Sequence, residues 1–348
     1  MTSTLRRIVS LMATAAVGAT ALTSCAGSNA GPTIAAGDVL LEGEELIAAA
    51  TDGELSFYCA AAPAACEAIA EGFEAEYGVS VNVLRSTSPD LSSRYASEKQ
   101  SRASTADVLL HSDIQFIAAG LEEGLITSFE EAGYLSDEFP AEWVANSSGI
   151  SGTPFISEGI GIAINTDLVS EQDRPKDWMD LAAPKWKSKM TGPAAVVSGY
   201  PPLLGTLSDH VDGLIEGLRP QEIVENDGGM VSLTEALGAG QHQIQVLASP
   251  VVVGAAQEKG APLDFIWPKS GVTGPAFAYT LNPEPANANA QKLFAQYVTS
   301  PEASEVLASI SDGYAAAYLD LKFDYFPPNF EYYMKDGMQS VIDAMGGE

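Results

Sequence analysis

Positive charge is scarce in this chain: 17 Lys and Arg stand against 46 Asp and Glu, a formal net charge of −29. Nucleic-acid binders gain affinity by neutralising phosphates with Lys and Arg, so the balance excludes a nucleic-acid partner. An acidic surface of this kind favours solubility and gathers cations weakly and without specificity. Histidine is rare, with His111, His210 and His242 as the only three. His210, between Asp209 and Asp212, reads as a solvated helix residue, and His242 as an ordinary residue before a strand. Cys25, Cys59 and Cys66 form no Cys-x-x-Cys or Cys/His cluster, which removes zinc and redox motifs. Gly-x-Ser-x-Gly, His-Glu-x-x-His, a phosphate loop and Gly-x-Gly-x-x-Gly are all missing. No catalytic residues are assigned, and an exported hydrolase without a local motif stands as the rival from another class. Beyond the N-terminus no apolar run approaches the ~18 residues that a membrane span needs.

What is present begins with an address. Arg6 and Arg7 precede an apolar and small-residue run from Ile8 to Ala21, closed by Leu22-Thr23-Ser24-Cys25. This order of charge, apolar core and small residues is that of an export signal, too short for a retained span. The last four residues resemble a bacterial lipobox, which makes Cys25 the lipidated first residue of the mature chain. Removal of residues 1–24 leaves 15 basic against 46 acidic residues. Cys59 and Cys66 then remain as an even pair in an oxidising compartment, where a disulfide between them is expected. The alternative is two buried thiols.

The chain of 348 residues has ordinary globular composition, 46% hydrophobic and 18% charged, enough for two domain-sized cores. Ala26 to about Asp52 reads as a tether, with one or two helical turns possible over Glu44–Ala50, and the folded body starts near Gly53. Strand and helix patterns then alternate: strand Leu55–Cys59, helix Pro63–Tyr77, strand Val79–Val83, helix Asp90–Ser101, strand Asp107–His111 and helix Asp113–Glu123. Two successive βαβ units predict a parallel, doubly wound sheet. A second series follows: strand Gly159–Asn165, a helix from near Gly199, helix Val231–Leu237, strand Gln243–Leu247, helix Pro250–Lys259 and strand Leu263–Trp267. Strand Phe277–Leu281 returns to the first sheet, and helices Ala286–Val298 and Glu302–Ser309 close the series.

Several of these segments, in this order, resemble the type 2 periplasmic solute-binding proteins of ABC importers, in the branch with iron(III), sugar-phosphate, phosphonate, thiamine and polyamine binders. The carriers are GELSFYCAAAP, VNVLRSTSPDLSSRYASEK, ADVLLHSDIQFIAAGLEEGLI, EGIGIAINTDLV with PKDWMDLAAPKWKSKM, TGPAAVVSGYPPLLGTL, WPKSGVTGPAFAYTLN and LFAQYVTSPEASEVLA. Together they run from about Gly53 to Tyr318. The resemblance implies an α/β fold of two doubly wound lobes joined by crossover strands, with a ligand cleft between them. Lobe I is expected over 53–155 and about 276–325, lobe II over 156–275 and about 326–348. It further implies an extracytoplasmic, monomeric receptor without cofactor that delivers a small-molecule solute to a permease driven by an ATPase subunit. Ferric relatives hold iron with two adjacent tyrosines after the strand matching Gln243–Leu247. This chain has Ala248-Ser249-Pro250-Val251 there, while Tyr332-Tyr333 lies far downstream, on what reads as the terminal helix. A small polar organic solute is therefore the expected ligand. A metal receptor using His111, Asp113 or Glu158 is the alternative.

Candidate ligand residues follow from the fold. In open parallel sheets ligands bind beyond the carboxyl ends of the strands, where helix N-termini supply unpaired N–H groups. Those ends are Tyr58-Cys59, Ser86-Thr87-Ser88 and His111-Ser112-Asp113. Ser198-Gly199-Tyr200 and Ser249 are the counterparts in the second lobe. Ser86–Ser88 serve as a helix cap alone or as cap and contact; Tyr58, Tyr200 and His111 contact the ligand or fill the core. Glu158 disfavours a bare anion and suits a donor or cation on the solute, unless it faces solvent. Arg85 would pull the other way.

Overall fold

A computed structural model describes residues 41–346 apart from 148, 195–199 and 227. Twelve strands run in chain order: β1 Leu55–Cys59, β2 Val81–Arg85, β3 Val108–His111, β4 Val144–Ala145, β5 Thr153–Glu158, β6 Gly161–Asn165, β7 Met190–Pro193, β8 Val224–Asn226, β9 Ile244–Ala248, β10 Leu263–Ile266, β11 Phe277–Leu281 and β12 Tyr314–Ala315. They form two sheets. Sheet I has the order β12-β5-β11-β3-β1-β2, with β4 on β5; sheet II has the order β10-β6-β9-β7-β8.

The expected parallel arrangement holds where β1 pairs with β2 and β3, and where β7 pairs with β8 and β9. Elsewhere the sheets are antiparallel: β11 against β3 and β5, and β6 against β9 and β10. Connectivity explains the mixture. β5 leaves sheet I at the edge where β1–β3 end, and the chain re-enters from sheet II at that edge, so β11 must run back against its neighbours. β5 stays in sheet I as far as Glu158, and β6 opens in sheet II at Gly161.

Strand alternation divides the apolar residues of each sheet between two cores. Phe57 and Cys59 join one core of sheet I, with Phe73, Phe294 and Tyr297; Tyr58 joins the other, with Leu91, Tyr95 and Leu109. The first core is aromatic, Phe57 and Phe73 each lying 5.0 Å from Phe294 between ring centroids. Gly72 admits Tyr297 to this cluster: a Cβ there would lie 2.1 Å from the Tyr297 hydroxyl. Helix Pro63–Tyr77 keeps the bounds its pattern predicts, with proline in its first turn and left-handed Gly78 at its end. The Cys59–Cys66 disulfide joins the end of β1 to this helix.

The tether reading is corrected at its C-terminal end. Helix Gly43–Ala50 buries Leu46 and Ala50 in the first core, and Lys292 donates to the Leu41 carbonyl and pairs with Glu42 at 2.5 Å. The folded body includes Leu41, twelve residues before Gly53. Its first turn, Glu-Gly-Glu-Glu, reads as polar linker because one apolar stripe of two residues is all it buries.

A third passage between the sheets is made by residues 316–326, and it is aromatic. Phe323 stacks on Trp267 at 4.2 Å and Tyr325 on Trp143 at 5.6 Å. Phe326 stacks on His210 at 3.9 Å, which gives that histidine a partner the sequence did not suggest. Tyr332 and Tyr333 lie on the short 3₁₀ turn Phe330–Tyr333, ahead of the terminal helix Lys335–Met345 and outside it.

Candidate ligand-binding site

Because β2, β1 and β3 are neighbours, their carboxyl ends bring most of the predicted residues to one edge of sheet I. Thr87 caps helix Ser88–Ser101 by accepting from Asp90 N at 3.4 Å, and Ser86 donates to the Asp90 carboxylate at 3.0 Å. Ser88 and Ser112 meet across the strand ends: their hydroxyls are 3.0 Å apart, and Ser112 N donates to Ser88 Oγ at 3.0 Å. Asp113 caps helix Ile114–Glu122, accepting from Phe116 N at 3.2 Å. Two helix starts and a half-buried serine pair thus share one edge.

Tyr58 and His111 do not join them. One residue of alternation turns each onto the face of the sheet. Tyr58 is buried; its hydroxyl donates to Glu98 at 2.8 Å and accepts from Arg94 at 3.2 Å. His111 is wholly buried beside Phe116, ring centroids 5.7 Å apart, and neither ring nitrogen has a hydrogen-bond partner. Burial pushes its imidazole down to about 4, against the pull of the Asp113 charge. Arg85 is exposed, its Nε donating to the Ala61 carbonyl at 3.4 Å over the disulfide loop.

The facing edge of sheet II is shaped by a β-bulge. The β6–β9 register slips between Gly161 and Ile162, and Leu247 takes up the extra residue at φ 57°. A buried leucine in the left-handed region stores strain, and the kink re-aims Ala248-Ser249 as the chain enters helix Pro250–Glu258. Ser249 caps that helix, accepting from Val252 N at 3.1 Å, and donates to Glu158 Oε1 at 2.5 Å. Val251 N also donates to Glu158 Oε1, at 3.3 Å. Since Glu158 ends β5 and Ser249 follows β9, this bond shows that the two strand-end edges face each other. Burial raises the Glu158 carboxyl above its ordinary range, while the bonds from Ser249 and Val251 N pull it down.

Tyr200, the first residue of helix Tyr200–Ser208, is buried in the core of sheet II among Leu203, Leu204 and Trp178, the packing alternative. Ser198 and Gly199 lie outside the described residues, as does Cys25. His111, Asp113 and Glu158 are not drawn together, and among the described residues no group of three His, Cys, Asp or Glu is placed to hold a metal ion. Two surface hollows, of about 470 and 610 Å³, lie elsewhere. One, lined by Lys99, Arg102 and Glu284, sits at the opposite end of the strands; the other lies along helix Ile114–Glu122. The interlobe edges are favoured over both, because they gather the helix starts at Ser88, Ile114 and Pro250. Sequence reasoning missed Tyr314, Val251 N and the Leu247 bulge; the bulged strand β9, Ile-Gln-Val-Leu-Ala, carries no glycine or turn residue, and Gly161 sits opposite on β6.

A family model described as bacterial extracellular solute-binding protein matches residues 55–314, which reach into both sheets and include Ser88, Ser112, Asp113, Glu158 and Ser249. The chain belongs to that family. No curated protein matches it in sequence. Solved structures do. The periplasmic binding protein AfuA of Actinobacillus pleuropneumoniae, with fructose-6-phosphate bound, superposes at TM-score 0.62 with 20% identity over 84% of this chain and 99% of its own. Trichodesmium IdiA (FutA) with iron and citrate gives 0.63 and 18%, over 85% of this chain and 100% of its own. Apo ferric ion-binding protein A of Pasteurella haemolytica gives 0.62 and 19%, over 84% and 98%. At these identities the likeness shows the two-lobed fold of type 2 periplasmic binding proteins.

Proposed function

We propose that this solute-binding protein is the extracytoplasmic receptor of an ABC importer, capturing a small polar organic solute between its lobes and delivering it to the permease without transforming it. The observation that carries this is the meeting of strand-end polar groups from both sheets: the Ser88–Ser112 pair and the Asp113 cap on sheet I, and the Glu158–Ser249 bond that joins that edge to sheet II. The helix starts there present N–H donors and short hydroxyls, a hydrogen-bonding surface suited to holding a polar solute. Two lobes joined by three crossovers close on a ligand by hinge motion. The Ser88–Ser112 pair and Asp113 supply the lobe I contacts, and Ser249 that of lobe II. The polar lining favours an organic solute over a bare metal ion.

Leu22–Cys25 supports lipid anchoring of the mature, monomeric protein to the outer face of a cell membrane. Radiolabelled palmitate incorporated into the wild type and lost in Cys25→Ala tests the anchor. The receptor reading is tested by thermal shift of ligand-stripped protein against organic acids, amino acids, sugar phosphates, amines and Fe(III). A ligand at 100 times its Kd stabilises the folded state by about 2.7 kcal/mol, enough to register. Silence across the panel, or conversion of a compound into product, rejects the reading.

A further inference from the structure

The start of helix Pro250–Glu258 is already filled by the protein itself. A helix N-terminus carries partial positive charge and free N–H groups, and is a ready place for phosphate or carboxylate. Here Glu158, arriving from sheet I, puts Oε1 on both the Ser249 hydroxyl and Val251 N. Oε2 takes neither bond, and Glu158 keeps 8% of its surface accessible. Among the described residues no Lys or Arg pairs with this carboxylate, which is unusual, because buried acids ordinarily pair with a cation.

A second group stands unused beside it. Tyr314 is the direct cross-strand partner of Glu158 in the β12–β5 pair, so the two side chains share one face of the sheet. Tyr314 is 4% exposed and its hydroxyl has no hydrogen-bond partner. Burial and the Glu158 charge both hold that hydroxyl protonated. The fold therefore keeps Glu158 and Tyr314 as cross-strand neighbours, while the start of helix Pro250–Glu258 is already neutralised by the Glu158 carboxylate. An anion entering this place meets like charge with nothing to compensate it. A group with positive charge and several N–H donors satisfies Oε2 and the phenol oxygen together.

We infer that Glu158 and Tyr314 form the charge-reading subsite of the receptor, and that the solute enters it with an ammonium or guanidinium group. The inference rests on the receptor reading above and narrows the solute to a class. It is tested by calorimetric titration of ligand-stripped wild type, Glu158→Gln and Tyr314→Phe with agmatine, spermidine and arginine, and in parallel with fructose-6-phosphate and citrate. The expected result is that at least one cationic probe binds the wild type, weakens by about tenfold or more in Glu158→Gln, and weakens less in Tyr314→Phe. Glu158→Gln is expected to melt no lower than the wild type, so lost affinity is not lost folding. Binding of fructose-6-phosphate or citrate in place of the cations overturns the class and leaves the receptor reading standing. Cation binding that Glu158→Gln leaves unchanged overturns the subsite. Silence of the wild type toward all five probes overturns this inference alone, while silence across the wider panel rejects the receptor reading as well.

Discussion

His111→Leu isolates a single buried ionisation. His111 is fully buried at the end of β3, both ring nitrogens lack partners, and its imidazole is pushed down to about 4 by burial. In the unfolded chain it titrates near 6.5. Between those values the unfolded chain holds a proton that the folded protein does not, so stability falls as pH drops below about 6.5, and the loss is complete near pH 4. Worked from the two pKa values, the His111 contribution falls by about 2 kcal/mol between pH 7 and pH 5, within a full span of about 3 kcal/mol. Leucine has similar volume and does not titrate. Urea unfolding of both proteins at pH 7 and pH 5, at constant ionic strength, measures the difference, with equal m-values required for the comparison. The wild type should lose about 2 kcal/mol more than His111→Leu over that interval, and the variant should be at least as stable at pH 7, because two unsatisfied buried nitrogens are gone. Parallel pH dependence of the two proteins would refute the reasoning, since His111 would then exchange protons equally in both states.

Glu158→Gln should raise stability at neutral pH by about 1 kcal/mol, because an unpaired buried carboxylate is replaced by a neutral isostere. The sign follows from its raised folded pKa: the penalty exists above that pKa and fades as pH falls toward the ordinary carboxylate value. The gain should therefore shrink on acidification, and a gain constant with pH would contradict the cause. Gly72→Ala, which in an open helix gains about 1 kcal/mol, should instead lose about 1–3 kcal/mol, since its Cβ would lie 2.1 Å from the Tyr297 hydroxyl; a raised melting temperature would show that the cluster yields. Reduction of Cys59–Cys66 closes no large loop, so thermal melts with and without reductant should differ by about 2 kcal/mol. Two labelled thiols in non-reduced protein would deny the bond.

Much of this architecture is visible in local pattern. Helix Pro63–Tyr77 and strand Phe277–Leu281 have the bounds their periodicity predicts, because proline, Gly78 and alternating burial mark the ends. Helix Ser88–Ser101 begins two residues earlier than its apolar stripe suggests, since Thr87 and Pro89 start it before any apolar residue appears. Strand direction is not local. Nothing in Phe277–Leu281 says that it runs against β3, because that depends on where the chain re-enters the sheet. The site divides along the same line. Ser88, Ser112 and Asp113 are legible as polar tips after strands, whereas Tyr58 and His111 fall on the wrong side of a one-residue alternation. Glu158 stands out as an acid after an apolar strand, but its partners Ser249, Val251 N and Tyr314 come from up to 156 residues away and meet it only when both sheets have formed.

The central claim is capture without reaction, and native mass spectrometry addresses it most directly. Ligand-stripped protein incubated with the compound that shifts its melting should gain one equivalent of that compound's mass, and unfolding should return the compound chemically unchanged. Recovery of an altered molecule, or failure to retain any solute at one equivalent, would contradict the account.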